Sequence, residues 1–461
     1  MKKNIVSAFL FVLALVVAGC AGTATPTATS VPTAGATATS SPATPTTTAA
    51  VPVTGATPTP GASGVVQLQF WHGQSQQQQT ALNKLVDEFN TTHPNIHVTA
   101  TYQGTYSDLF KKVQAAISAG TPPDLAIAYQ DDVANYIKSG AVIPLDNLMQ
   151  DPQIGFTAND LKDIYPTFID HYPEYNNQVY SIAFMRSMEV MYYNADLLQA
   201  AGFTQPPATW DDFMKICAAV SKAPSVYCHE LNVDASRFAS MVFSRGGNLL
   251  SPDGKQIEFN GPAGLASMQL IDQMFKQHQA IVIAKAFQDQ TDFSLGKVAF
   301  TFGSTAGLPF YQQAIKQAGK VKNWGIAPYP HTTPNPVVDL YGPSVTIFKT
   351  TPEKERAAFI FLKWLMDTGP NAEWIKATQY FPARESTKSA LADFIKANPL
   401  YGQALNWVQY GRTEPNTAAW NPIRGYIADA LTAVANGKAT PEQALATATQ
   451  KAQAAIASST P

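Results

Sequence analysis

Cysteine is nearly absent, with three in 461 residues. That excludes a disulfide-dense small scaffold and leaves too few thiols for a cysteine-only zinc site. Charge is scarce too, at 14% of the chain, and the two signs almost cancel to a formal net charge of −2. A nucleic-acid binder needs a basic face to displace counterions, so that class is set aside. One end is nearly bare of charge: Lys2 and Lys3 are the only charged residues before Lys84. The short catalytic motifs are missing as well. There is no G-x-G-x-x-G, no phosphate-binding P-loop and no H-E-x-x-H, and Gly303-Ser304-Thr305-Ala306-Gly307 sets its serine one place early for a nucleophile elbow. His93 and His97 have helical spacing, but Pro94 lies between them, so they do not read as paired metal ligands. The acidic pairs Asp131-Asp132 and Asp211-Asp212 are sequence neighbours, which do not face each other across a cleft as glycosidase carboxylates must. The expectation is therefore no catalytic residue, no metal and no cofactor.

What is present begins with export. Lys2 and Lys3 precede an apolar run, Ile5 to Val17, that ends in Leu15-Val16-Val17-Ala18-Gly19-Cys20. A positive start and a short apolar centre form a secretory signal, too short for comfortable membrane spanning. Small residues before a cysteine resemble a bacterial lipobox, which implies a signal peptide over 1–19 and lipidation of Cys20. Each buried lipid methylene contributes about 0.8 kcal/mol, so a multiply acylated terminus holds where one chain would not. Residues 20–63 form a Thr/Ala/Pro-rich stalk without charge, with Pro26, Pro32, Pro42, Pro45, Pro52, Pro58 and Pro60 recurring through it. Such a segment has no core with which to offset its ordering entropy and reads as a disordered tether. The chain is placed on the extracytoplasmic face of the bacterial membrane, or in the periplasm where a second membrane exists. In that oxidising compartment Cys217 and Cys228 read as a structural disulfide, with two buried free thiols as the alternative.

Beyond the stalk, hydrophobic residues make up enough of the chain, 45%, for a substantial core. Val66 to Trp71 alternates as a half-buried strand, and Ala81, Leu82, Leu85, Val86 and Phe89 stripe a helix. Ile96 to Tyr102 alternates again, a second helix carries Leu109, Val113 and Ile117, and Leu125–Tyr129 is a continuous apolar strand. This βαβαβ order predicts an open α/β sheet with right-handed crossovers. Helix starts are signalled at Thr209, at Thr351-Pro352 and at the Thr440-Pro441-Glu442-Gln443 capping box. So long a body predicts two α/β lobes.

Several stretches then resemble a known family. They are Phe70-Trp71-His72, the segment Gly104 to Asp124, Met191-Tyr192-Tyr193-Asn194, Ala201-Gly202 and Thr209-Trp210-Asp211. Gly296 to Phe300, Ser304, Thr378 to Pro382 and Asn436 to Leu445 follow in the same order. Together they resemble the extracellular solute-binding proteins of ABC importers, whose members include maltose and glycerol-3-phosphate receptors. The resemblance implies a two-lobe, Venus-flytrap α/β fold with a hinge of crossing strands. It places one lobe at 65–182 plus 299–340 and the other at 183–298 plus 341–455. Hinge passages are expected near Ile182–Phe184, Lys297–Phe300 and Leu340–Pro343. Ligand touching both lobes would stabilise the closed form.

Matched to the glycerol-3-phosphate receptors of the family, the implied ligand-binding residues are Tyr106, Gln130, Ser187, Ser304, Gly342, Tyr380 and Arg424. Gln130 departs from the carboxylate of those receptors. The family tryptophans are missing near Asn232–Ser236, so a stacking surface would come from elsewhere, with Trp420 and Phe238 as candidates. Arg186 adds a cation beside Ser187, and two arginines in one cleft would favour an anionic ligand. If Arg186 points outward, a neutral oligosaccharide is preferred. The implied partners are a small carbohydrate or glycerol phosphate, ABC permease subunits and the membrane through the lipid, with a monomeric chain and no nucleic acid. The different-class alternative is a surface lipoprotein that hydrolyses glycans.

Overall fold

The computed structural model describes residues 64–285 and 287–459. The expected signal peptide, Cys20 and the stalk lie outside the described residues. Along the described chain the strands are β1 (Val66–His72), β2 (Ile96–Tyr102), β3 (Leu125–Ala128), β4 (Ile169–Tyr172) and β5 (Gln178–Ile182). Next come β6 (Met185–Asn194), β7 (Tyr227–Leu231), β8 (Ala280–Val282), β9 (Val298–Ser304) and β10 (Trp324–Ala327). The last are β11 (Val338–Tyr341), β12 (Ser344–Ile347), β13 (Phe381–Pro382) and β14 (Gly411–Arg412).

Two sheets result. The first runs β2-β1-β3-β12-β5-β4, parallel through β2, β1 and β3 and antiparallel beyond. The second runs β14-β11-β6-β9-β7-β8, with β10 and β13 also pairing with the long strand β6. Alternation works as expected in β2, where Ile96 and Val98 are buried and His97 and Thr99 exposed. Every residue of β3 is buried, as in a strand covered on both faces. Leu68 and Phe70 of β1 lie under helices Gln76–Thr92 and Pro352–Leu365, whose Phe89 and Phe361 rings meet at 4.8 Å. The second sheet is packed by Phe213, Phe300 and Phe302 and by helix Trp420–Ala435, which buries Ile423, Ile427 and Leu431. Fully burying each such side chain contributes about 1.5–3 kcal/mol. Cys217 and Cys228 are joined as a disulfide inside this core.

The chain crosses between sheets at 183–184, from β5 to β6, and at Gly342-Pro343, from β11 to β12. Both agree in place with the expected hinge. The third expected passage, Lys297–Phe300, is corrected. Val298 pairs with Tyr227, and Phe300 pairs with Tyr193 and His229, so β9 is an interior strand of the second sheet. The lobe boundaries change with it. Strand pairing puts 299–340 with the second sheet. The segment from β12 through helix Pro352–Leu365 returns to the first, because Val345 pairs with both Ile127 and Ile182. The chain touches the second sheet again at β13, where Phe381 pairs with Arg186 of β6, and once more at β14, where Gly411 pairs with Val338.

Candidate functional site

A cavity of about 470 Å³ opens between residues of the two sheets. One wall comes from helix Tyr106–Ser118 and from the end of β3. Thr105 caps that helix: its hydroxyl accepts from Asp108 N at 3.2 Å, and the Asp108 carboxylate accepts from Thr105 N at 3.1 Å. Such a cap is worth about 0.5–2 kcal/mol. The preceding Gly104 has φ +103°, and a Cβ there would lie 2.9 Å from Asp108 Oδ2, so the turn that presents Tyr106 requires glycine. Tyr106, Phe110 and Lys111 line the cavity from this helix. The Tyr106 hydroxyl accepts from Gln74 Nε2 at 2.8 Å, and its ring lies 4.9 Å from that of Tyr129. Past β3, Tyr129, Gln130, Asp131 and Asp132 complete the wall, the last three opening helix Gln130–Lys138. Carboxylates in a first helical turn suit the partial positive charge of its free N–H groups.

The facing wall carries Leu340, Glu414 and the start of helix Trp420–Ala435, where Trp420, Asn421 and Arg424 project together. Arg424 is held on several sides. It pairs with Glu414, lies 3.7 Å from Asp234, and donates to Ser236 Oγ from both terminal nitrogens at 3.2 Å. Glu414 also accepts from Trp420 Nε1 at 2.6 Å. Asn421 Nδ2 reaches across to Asp132 Oδ1 at 3.3 Å, so the two walls touch. Burial pushes the carboxyls of Asp131 and Asp132 up, and for Asp132 the neighbouring Asp131 adds to the effect. Behind the wall, fully buried Asp339 makes no hydrogen bond through its carboxylate. It is pushed well up by burial and then by Glu414 and Glu189. The site can offer aromatic faces, hydroxyl acceptors and a held guanidinium to a polar molecule.

Of the residues implied beforehand, Tyr106, Gln130 and Arg424 come together here. Ser304 lines a second cavity of about 590 Å³. Ser187 is buried in β6 opposite Tyr341, and Tyr380 is 9% exposed and stacked on Trp374. The Gly342 carbonyl turns inward and accepts from Arg186 and, at 3.2 Å, from Gln130 Nε2. Arg186, expected as a ligand-facing cation, is corrected to a buried residue beneath the cleft. It is 1% exposed, 2.7 Å from Asp170 Oδ1 and 3.3 Å from Ser344 Oγ. Its charge is matched by a carboxylate already in place. Trp420 does reach the cavity, whereas Phe238 lies in the second core. Sequence reasoning missed Asp131, Asp132, Glu414, Asn421 and Lys111 as a set. Asp131-Asp132 was visible but weighed only for catalysis, and Glu414 carries no local signal.

The fold and cleft define a two-lobe solute-binding architecture. Residues 84–403 match the family model described as bacterial extracellular solute-binding protein, and the chain belongs to that family. It is 26% identical over 415 residues to the sn-glycerol-3-phosphate-binding periplasmic protein of Yersinia enterocolitica, covering 85% of this chain and 92% of that one. The Escherichia coli protein of the same name is 24% identical over the same length. Among solved structures, the cyclic α-maltosyl-1,6-maltose binding protein of Arthrobacter globiformis superposes with a TM-score of 0.74 at 21% identity, covering 85% of this chain and 99% of that one. UgpB of Mycobacterium tuberculosis, solved with glycerophosphocholine, gives 0.74 at 20% identity over 86% and 99%. No helix among the described residues is long and apolar enough to cross a membrane.

Proposed function

We propose that this chain is the capture subunit of an ABC importer. It takes a neutral, hydroxyl-rich solute of the sugar or oligosaccharide class and passes it unaltered to membrane permease subunits. A lipid at Cys20 would hold it, as a monomer, to the outer face of the cell membrane. The observation that carries the neutral-solute reading is the pairing of every arginine at the two cavities with carboxylates. Arg424 is matched by Glu414 and Asp234, and Arg237 by Asp234 at 3.2 Å and Glu189 at 3.9 Å. Asp131 and Asp132 add two further acidic side chains to the lining of the first cavity. A phosphate dianion would have to displace Glu414 from Arg424, whereas sugar hydroxyls donate to carboxylates and ring faces stack on Tyr106 and Phe110.

The second reading, a glycerol phosphate or its diester, draws on the ligands in the names of the relatives and on Lys111 at the rim. Catalysis is disfavoured because Glu414 is occupied by Arg424 and Trp420 and is not poised to act on a bound bond. A thermal-shift screen of mono- and oligosaccharides against glycerol-3-phosphate and glycerophosphocholine separates the two ligand classes. Ligand at 100 times its dissociation constant stabilises by about 2.7 kcal/mol. Stabilisation by saccharides with unchanged saccharide recovered afterwards is the expected result. A response to phosphate compounds alone would overturn the neutral reading, and released product would overturn the binding one.

A further inference from the structure

We infer that Glu414 sets the charge specificity of the first cavity: it occupies Arg424 and fixes Trp420, so that the site takes neutral solutes and turns away phosphate-bearing ones. The inference rests on the neutral-solute reading above and names the side chain that enforces it. Glu414 is 11% exposed, and both of its oxygens are engaged. Oε1 accepts from Ser236 Oγ at 2.5 Å, while Oε2 accepts from Trp420 Nε1 at 2.6 Å and from the Arg424 guanidinium. Ser236 closes the ring, since its Oγ also accepts from both terminal nitrogens of Arg424. A carboxylate that already holds three donors has little left to offer a solute. It acts on the two side chains of helix Trp420–Ala435 that face the cavity, which makes it a positioning residue.

The chain holds Glu414 in place from both sides. Two residues before it, Arg412 of β14 donates to Gly247 O at 3.0 Å and to Asn248 Oδ1 at 2.6 Å, and lies 4.3 Å over the Phe243 ring. Two residues after it, Asn416 Nδ2 donates to the His171 carbonyl of β4 at 3.1 Å. A carboxylate anchored in this way does not swing aside for an incoming anion. Arginine grips phosphate through two parallel N–H groups. Here one terminal nitrogen of Arg424 already donates to Glu414 and both donate to Ser236, so the fork is turned toward the protein. A phosphate in the same place would also lie against the Glu414 carboxylate, and like charges at close range repel. A solute hydroxyl meets neither obstacle, because it can accept from a single N–H and brings no charge. Neutralising Glu414 without changing its shape therefore has a signed consequence. Glutamine can still accept from Trp420 Nε1, but it leaves Arg424 with Asp234, at 3.7 Å, as its ionic neighbour.

The test is calorimetric titration of the whole protein and its variants with glycerol-3-phosphate, glycerophosphocholine and the neutral saccharide that gives the largest thermal shift in the screen above. Glu414→Gln should raise affinity for glycerol-3-phosphate by about tenfold or more, the worth of one charged hydrogen bond released to the ligand, while the saccharide gains nothing. Glu414→Asp, which keeps the charge, should keep the rejection of phosphate. Glu414→Gln/Arg424→Gln should lose the gain, because the gain acts through the guanidinium. Melting temperatures report the folding of each variant, and Glu414→Ala, with the same expected gain, replaces the amide variant if that one does not fold. A purely structural role for Glu414 would lower both affinities together. That result, a folded neutral variant that rejects phosphate as the wild type does, or a gain that survives the loss of Arg424 overturns Glu414 as the specificity residue and leaves the neutral reading standing. Wild-type protein that binds glycerol-3-phosphate as tightly as any saccharide overturns that reading and this inference with it.

Discussion

The guanidinium of Arg186 and the carboxylate of Asp170 meet at 2.7 Å, with 1% and 2% of their side chains exposed. The pair ties β6 to β4 and, through Ser344 and the Gly342 carbonyl, to the second crossover. Removing one partner of a buried pair leaves an uncompensated charge and costs about 3–5 kcal/mol. Arg186→Met should therefore lower unfolding free energy in urea by about that amount, and Asp170→Leu added to it should recover most of the loss. A stable Arg186→Met protein with weakened ligand affinity would instead return Arg186 to the ligand.

Arg424 behaves differently because it is partly exposed and reaches the cavity. Losing charged hydrogen bonds at about 1.5–3 kcal/mol each, Arg424→Ala should weaken the saccharide found in the screen by roughly tenfold to a hundredfold. Arg424→Lys should not rescue it, since one ammonium cannot span Ser236 and Glu414 as the planar fork does. Calorimetric titration reads both variants, with the melting temperature confirming that each is folded.

The contrast between these two arginines marks where sequence reasoning stops. Local patterns carried the first sheet: alternation in β1 and β2 and the buried run of β3 are written within a few residues. The crossovers at 183–184 and Gly342-Pro343 were placed through resemblance and agree with the strand pairing. The apolar run of β9 looks the same whether it is a hinge strand or an interior one, and only its pairing with β6 and β7 decides. Likewise, nothing near Arg186 announces that Asp170 waits beneath it. Glu414 joins the cavity because β14 pairs with β11, a two-residue contact made across more than seventy positions. Such non-local pairings leave no periodicity to read.

The disulfide lends itself to a separate test. Cys217 and Cys228 are fully buried and close a loop with a sequence separation of 11. Constraining a loop of that size in the unfolded chain contributes about 2–3 kcal/mol. Cys217→Ala/Cys228→Ala should lower unfolding free energy by about that amount and leave saccharide affinity unchanged, since neither residue lines the cavities. Urea denaturation and titration calorimetry check the two halves of the statement.

Asp132 gives the protein a pH dependence with a definite sign. Burial raises its carboxyl above the usual carboxylate range, Asp131 adds to this, and Asn421 and Arg424 only partly oppose it. In the unfolded chain the same group titrates near its ordinary value of about 4. Between those two values the folded protein holds a proton that the unfolded chain releases. The stabilisation is thus complete below the unfolded value and is lost as pH rises through the folded one. Buried His72 and His229, drawn down to about 4 by desolvation, act in the opposite sense and favour folding as pH rises toward 6.5. Asp132→Asn removes the carboxylate term and keeps a polar partner for Asn421. Its melting temperature should exceed that of the wild type at about pH 8, and the difference should shrink steadily as pH falls toward about 5. A difference that stays constant with pH would mean that Asp132 is ionised in the folded protein throughout this range.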